Sequence, residues 1–227
     1  MSPATDRPTM ADGSDPGTAD EDEGAVPAAA REEVVESVRR ALAKHGYADL
    51  TTAKVAAESE KSEAFFFYHY DTKDDLILAF VDWAADRLTR RLSDLDGEDP
   101  VVRLYAACEV LLGDYEDETS RGINVAMMEL LSHAPHEPAF RERLERYERG
   151  VLDDLAGILR DGVDAGQFRE VDPESTAAFL LMATDGTAGA VMALGMTDVD
   201  AGVREGLFDY LERSVLAPGV SPPEGYR

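Results

Sequence analysis

Hydrophobic positions recur at helical spacing along almost the whole chain. Val34, Val38, Leu42 and His45 fall four, four and three residues apart, which makes one apolar stripe on a helix over Ala28 to His45. Gly46 stands where that helix needs a residue of left-handed conformation to end it, and Tyr47 and Leu50 are expected to pack under the next helix. Three short helical patterns come next. Thr52 can cap a helix over Ala53 to Ala57, and Ser62 can cap one over Phe65 to Tyr68. Thr72 can cap a third, with Asp75 three residues on completing a capping box. This third helix is long. Leu76, Phe80, Trp83, Leu88 and Leu92 mark it to about Leu95, and the run from Asp96 to Pro100 breaks it.

Beyond Pro100 the pattern predicts helices over Val102 to Leu112, Ile123 to Ser132, Pro138 to Ala165, Pro173 to Gly195 and Val199 to Leu216. Pro100, Pro138 and Pro173 stand where helices start, and Gly113, Gly166 and Gly195 where they stop. No useful strand alternation appears. The predicted fold class is therefore all-α, a three-helix N-terminal head joined to a C-terminal helical bundle. Predicted boundaries are a disordered acidic tail over 1–27, a head over 28–75, a body over 76–216 and a flexible tail over 217–227.

The first two short helices are separated by only Ser59 to Ser62. Two helices joined that tightly form a helix-turn-helix, whose second helix enters the DNA major groove. The stretch resembles the TetR family of DNA-binding regulators. The resemblance rests on Gly46-Tyr47, Thr51-Thr52, Val55-Ala56, Phe66-Phe67-Tyr68-His69-Tyr70, Lys73 and Leu76-Ile77, in register without a gap. Glu60, Lys61, Phe65 and Phe67 depart from the family's usual turn glycine, apolar turn residue, hydroxyl residue and tyrosine. The resemblance implies a homodimer that binds a palindromic operator in double-stranded DNA and responds to a small-molecule effector. Repression relieved by ligand is the mode it implies.

Five aromatics occupy the six positions Phe65 to Tyr70 and cannot all face inward on a helix of 3.6 residues per turn. Phe66 and Tyr70, four apart, are expected to face the core with Val55. The candidate DNA-contacting residues are Thr52, Lys54, Lys61, Ser62, Glu63, Ala64, Phe65, Phe67, Tyr68, His69 and Lys73. The recognition helix holds no arginine for guanine, so thymine methyls and DNA shape carry the expected readout.

Charge complicates this reading. The net charge is −25, and affinity for DNA comes largely from neutralised phosphates. The acid is unevenly spread. All four lysines (Lys44, Lys54, Lys61, Lys73) lie in the head, and residues 31–75 carry seven Lys/Arg against ten Asp/Glu, a net of −3. The excess of acid over lysine resembles proteins of salt-loving organisms, in which molar salt shrinks the Debye length to about 3 Å. The rival reading is a helix-turn-helix module that binds protein rather than DNA, with Glu60 and Glu63 repelling phosphate.

The apolar, small-residue helix from Pro173 must bury more than one side. With the resemblance it suggests a four-helix dimer seam, with candidates Ala178, Met182, Gly186, Gly189, Leu207, Tyr210 and Leu211. An apolar or amphipathic effector is expected, with candidate pocket residues Tyr105, Cys108, Met127, Met128, His133, Met182 and Asp185. Asp185 can serve equally at the dimer seam or as a ligand anchor. Phosphate loops, nucleophile elbows and His-Glu-x-x-His are all absent, so neither an enzyme nor a cofactor is expected. One cysteine allows no internal disulfide, and no run of about 18 apolar residues is evident. No membrane partner is expected, and the expected location is cytoplasmic.

Overall fold

The computed structural model describes residues 28–95 and 99–226; the acidic segment over 1–27 and the break at 96–98 lie outside them. Among the described residues there are nine helices: α1 (Ala28–His45), α2 (Thr52–Ala57), α3 (Glu63–His69), α4 (Lys73–Ser93), α5 (Pro100–Leu112), α6 (Glu118–His133), α7 (Pro138–Asp164), α8 (Pro173–Leu194) and α9 (Thr197–Tyr210). A π-helical turn, Leu211–Val215, ends α9, and an isolated bridge pairs Phe168 with Leu216.

The punctuation agrees with the sequence at most ends. Pro100, Pro138 and Pro173 open their helices. Gly46, Gly113, Gly166 and Gly195 have φ near +70°, a region that costs glycine little. Several boundaries move, and hydrogen bonds explain three of the changes. The N-cap of α2 is Thr51, not Thr52, because the Thr51 side chain accepts the amide of Lys54 at 3.2 Å. Helix α6 begins at Glu118 rather than Ile123, because Asp117 accepts the Ser120 amide at 2.7 Å. Its first turn is polar and leaves no apolar signal. The last helix changes register at Leu211, so Leu216 bonds five residues back to Leu211 at 2.9 Å.

Two hydrophobic cores form, and the first reaches beyond the expected head. The first joins α1 to the N-terminal half of α4 through Val34, Val38, Leu42, Val55, Phe66, Leu76 and Phe80. It also takes in Ala126, Met127 and Leu130 of α6 and Phe140 and Leu144 of α7. The second contains Leu104, Tyr105 and Cys108 of α5, the far half of α7, and buried faces of α8 and α9. Burying each large side chain contributes about 1.5–3 kcal/mol, so packing against the head also anchors α6 and the start of α7. Residues 217–226, expected as a flexible tail, run back over the second core: Pro222 is buried, and the Tyr226 ring meets Tyr105 and Phe208 at 5.2 Å each.

Helix α8 is, among the described residues, the one helix long and apolar enough to cross a membrane by length and composition. One face of it, Thr176, Ala177, Leu180, Leu181, Thr184, Thr187 and Val191, is buried in the bundle.

Candidate nucleic-acid interface and body cavity

The head is built from the caps outward. Ser62 accepts the amide of Phe65 at 3.3 Å and starts α3. Thr72 and Asp75 exchange the two bonds of a capping box, 3.1 and 2.9 Å long, and start α4. The turn between α2 and α3 is tied to α1 by Glu33, whose Oε1 accepts from Ser59 Oγ at 2.9 Å and from the Glu60 amide at 3.2 Å. The Ser59 bond, ahead of the opposing cost of partial burial, holds the Glu33 carboxyl below its ordinary pKa. Sequence reasoning missed Glu33, which reads there as one of many surface acids.

Phe66 is fully buried beneath α3, with Val55. Phe67 and Tyr68 point outward, 58% and 74% exposed, beside the exposed Ser62, Glu63 and Ala64. Phe65 and His69 are half-buried and lie against each other, ring centres 4.7 Å apart. The outward surface of α3 is thus narrower than the sequence suggested and centres on Phe67 and Tyr68. Lys61 is exposed and its ammonium lies 5.9 Å from the centre of the Phe65 ring. Thr52 and Lys54 are half-buried, and Lys54 Nζ donates to the Asp49 carbonyl at 2.7 Å.

Lys73 is held at the junction of head and body. Its ammonium lies 4.2 Å from the centre of the Tyr47 ring and donates to the Tyr47 carbonyl at 3.2 Å. Tyr47 is a hub. Its amide donates to Glu129 Oε1 at 2.5 Å, its hydroxyl to Asp74 at 3.2 Å, and its ring packs 4.3 Å from His133 and 5.5 Å from Phe140. Burial, then the Asp74 charge, pushes the Tyr47 phenol up to about 12. At Gly46 a Cβ would come within 2.9 Å of Glu129 Oε1, so glycine is needed for this approach as well as for its φ of +69°. Glu129 and His133 both lie on α6, and α6 therefore touches the start of the head directly.

The opposite end of α6 borders a cavity of about 100 Å³. Its walls are Ala84, Arg87, Leu88 and Arg91 of α4, Val110 and Leu111 of α5, and Ser120, Ile123 and Asn124 of α6. Tyr147 of α7 and Leu181, Asp185 and Ala188 of α8 close it. Of the expected pocket residues only Asp185 is part of this lining. Tyr105 and Cys108 are buried in the second core, where desolvation raises the Cys108 thiol to about 12. Met127 is in the first core, Met128 is half-buried on α6, His133 lies against Tyr47, and Met182 is exposed on α8. A larger groove between α1 and α4 is lined by Arg31, Glu32, Asp82, Asp86 and Arg90 among others. The smaller cavity is the better ligand site because five helices wall it.

Around Asp185 the polar groups are poorly satisfied. Desolvation raises its carboxyl to about 6 even though its outer edge is open to solvent, because protein crowds the remaining sides. Desolvation and then the Asp185 charge raise Glu148 to about 7. Glu148 Oε2 and the Tyr115 hydroxyl are buried without a hydrogen-bond partner.

The remaining outward surface is on α8. Phe179 and Met182 are exposed, Gly186 is open, and the Phe179 ring packs 4.8 Å from Tyr210. Leu207 and Leu211, expected at a dimer seam, are instead buried within the chain, in the second core. Ala178, Gly189 and Tyr210 are half-buried, and Phe179 is an outward residue that the sequence reading passed over.

Comparison with known proteins gives two family matches. Residues 35–80 match the model for bacterial regulatory proteins of the tetR family, and residues 100–215 match the C-terminal domain of BetI-type transcriptional repressors. The chain is 34% identical to a TetR transcription regulator from Haloarcula marismortui of known crystal structure, with a TM-score of 0.74 over 82% of this chain and 97% of that one. It is 29% identical to the HTH-type transcriptional repressor AcnR of Corynebacterium glutamicum, over 72% of this chain and 82% of the relative. A transcriptional regulator from Saccharomonospora viridis, crystallised in complex with choline, shares the fold at 22% identity, with a TM-score of 0.74 over 84% of this chain and all of that one, 100%.

Proposed function

The chain belongs to the tetR family of bacterial regulatory proteins, and from that premise we propose that it is a ligand-responsive repressor that binds a palindromic operator as a homodimer. The observation that carries the DNA reading is the outward pair Phe67 and Tyr68 on a capped α3 above the buried Phe66. Phenylalanine suits a thymine methyl, and a tyrosine hydroxyl reaches phosphate. The helix offers no arginine for guanine, so DNA shape supplies the rest of the specificity.

Two-fold pairing through the open face of α8 and α9 sets the heads a fixed distance apart, and adjacent major grooves require about 34–36 Å. Effector binding acts on that distance. The cavity is bordered by α4, which starts at Lys73, and by α6, which ends against Tyr47. An occupant that parts these helices displaces both supports of the head at once. At about 100 Å³ the cavity is below the roughly 300–1,000 Å³ of drug-sized sites, so it suits a small effector.

The test is selection of bound fragments from a random duplex library at high salt, followed by anisotropy titration of the selected sequence. A two-fold symmetric site bound by two chains is the expected outcome. Equal affinity for selected and random DNA, or no binding at any salt, refutes it and favours a module that docks on protein.

A further inference from the structure

We propose that the body cavity takes a short primary amino-carboxylate, its ammonium against Asp185 and Tyr147 and its carboxylate toward Arg91 and Arg87. The inference rests on the effector reading above and specifies its chemistry.

Four observations lead to it. The cavity has charge of both signs on facing helices, Arg87 and Arg91 on α4 and Asp185 on α8. Among the described residues neither arginine makes an ion pair: Arg87 stacks 5.7 Å from the centre of the Trp83 ring, and Arg103, Arg143, Arg160 and Arg204 take their carboxylate partners elsewhere. Asp185 likewise has no cationic partner, and its carboxyl is shifted by burial with no neighbouring cation to offset it. Opposite charges therefore stand around one cavity without neutralising each other, the arrangement a dipolar guest completes. An apolar guest would pair with neither charge.

The acidic end is also short of donors: outside the lining, Glu148 Oε2 is buried with no partner and feels the Asp185 charge. Tyr147 is partly buried, lines the cavity, and has both Glu148 and Asp185 as charged neighbours. Buried acceptors without donors call for N–H groups. A primary ammonium supplies three, whereas a quaternary ammonium supplies none. Size agrees: at about 100 Å³ the site is below the roughly 300 Å³ of drug-sized sites, which suits a short guest.

The experiment is calorimetry on the full chain with matched probes: glycine, β-alanine and γ-aminobutyrate as the dipolar set, propionate and butyrate as anions without the amine, ethylamine and propylamine as cations without the acid, and trimethylglycine as a dipole without N–H donors. The expected result is that at least one amino-carboxylate binds about tenfold or more tightly than its single-charge counterparts and than trimethylglycine. Asp185→Asn should reduce that preference over the matching anion, and Arg91→Gln should reduce the preference over the matching amine. Equal binding of a single-charge probe or of trimethylglycine, no binding by any member of the dipolar set at millimolar concentration, or unchanged preferences in both variants overturns the proposal. Anisotropy of the protein on its selected DNA separates the two levels. Release of DNA by a compound outside the dipolar set keeps the effector reading and overturns this one. Amino-carboxylate binding that leaves DNA affinity unchanged overturns the effector reading and keeps the site.

Discussion

Replacing Glu148 by glutamine should stabilise the protein, and only at neutral to alkaline pH. Glu148 lies on α7 with Oε2 buried and unpartnered, and burial followed by the Asp185 charge raises its carboxyl from 4.5 to about 7. The folded state thus favours the protonated form more than the unfolded chain does. Stability from this group is fully present below the unfolded value of 4.5 and is lost as pH rises through about 7. The difference of 2.5 between those two values, at about 1.36 kcal/mol per pH unit, bounds the loss at about 3.4 kcal/mol. The side chain is only partly buried, and solvent screening reduces the expected figure to about 1–2 kcal/mol. Glutamine keeps the shape and removes the charge. Near pH 8 it should raise Tm by about 2–8 °C for a chain of this size, and near pH 4 it should change nothing. Urea and thermal unfolding of both proteins across pH, at one fixed concentration because dimers gain apparent stability with concentration, measure the difference. A gain of equal size at both pH extremes, or a loss near pH 8, refutes the electrostatic account.

Other substitutions probe the remaining elements. A Cβ at Gly189 meets no atom within 4 Å in its own chain, so Gly189→Arg should leave the protomer folded while splitting the dimer and abolishing operator binding; sedimentation and anisotropy read the two together. Glu129→Ala strips the Tyr47 amide of its acceptor and should destabilise the fold by about 1–3 kcal/mol, seen in urea unfolding. Lys73→Ala should weaken binding to selected and random DNA alike and flatten the salt dependence by about one unit of slope. Phe67→Ala should instead narrow the gap between the two DNAs by about 1–3 kcal/mol, and Phe65→Ala should do so less, because Phe65 is half-buried against Phe66 and His69.

Local chemistry was legible in the sequence wherever a signal is complete within a few residues. The capping box of Thr72 and Asp75, the cap at Ser62, the opening prolines and the closing glycines each need only a short stretch of backbone, and each stands where the sequence put it. The inward turn of Phe66 followed from crowding of aromatics on one short helix, and the resemblance to the tetR family rested on head residues from Gly46 to Ile77. Tertiary structure decided which apolar face meets which. Periodicity marks Leu207 and Leu211 as apolar but cannot say whether a partner chain or α5 and α8 cover them; the chain's own core does. It marks α6 as amphipathic without showing that Glu129 reaches an amide 82 residues away, or that His133 packs on Tyr47 rather than lining a pocket. The cavity is the extreme case. Its charges come from α4 and α8, nearly a hundred residues apart in sequence: Asp185 stands out there inside an apolar helix, but Arg91 reads as an ordinary surface charge and nothing links the two. Pairing between distant helices is a sum over many weak contacts, and only the packed bundle evaluates that sum.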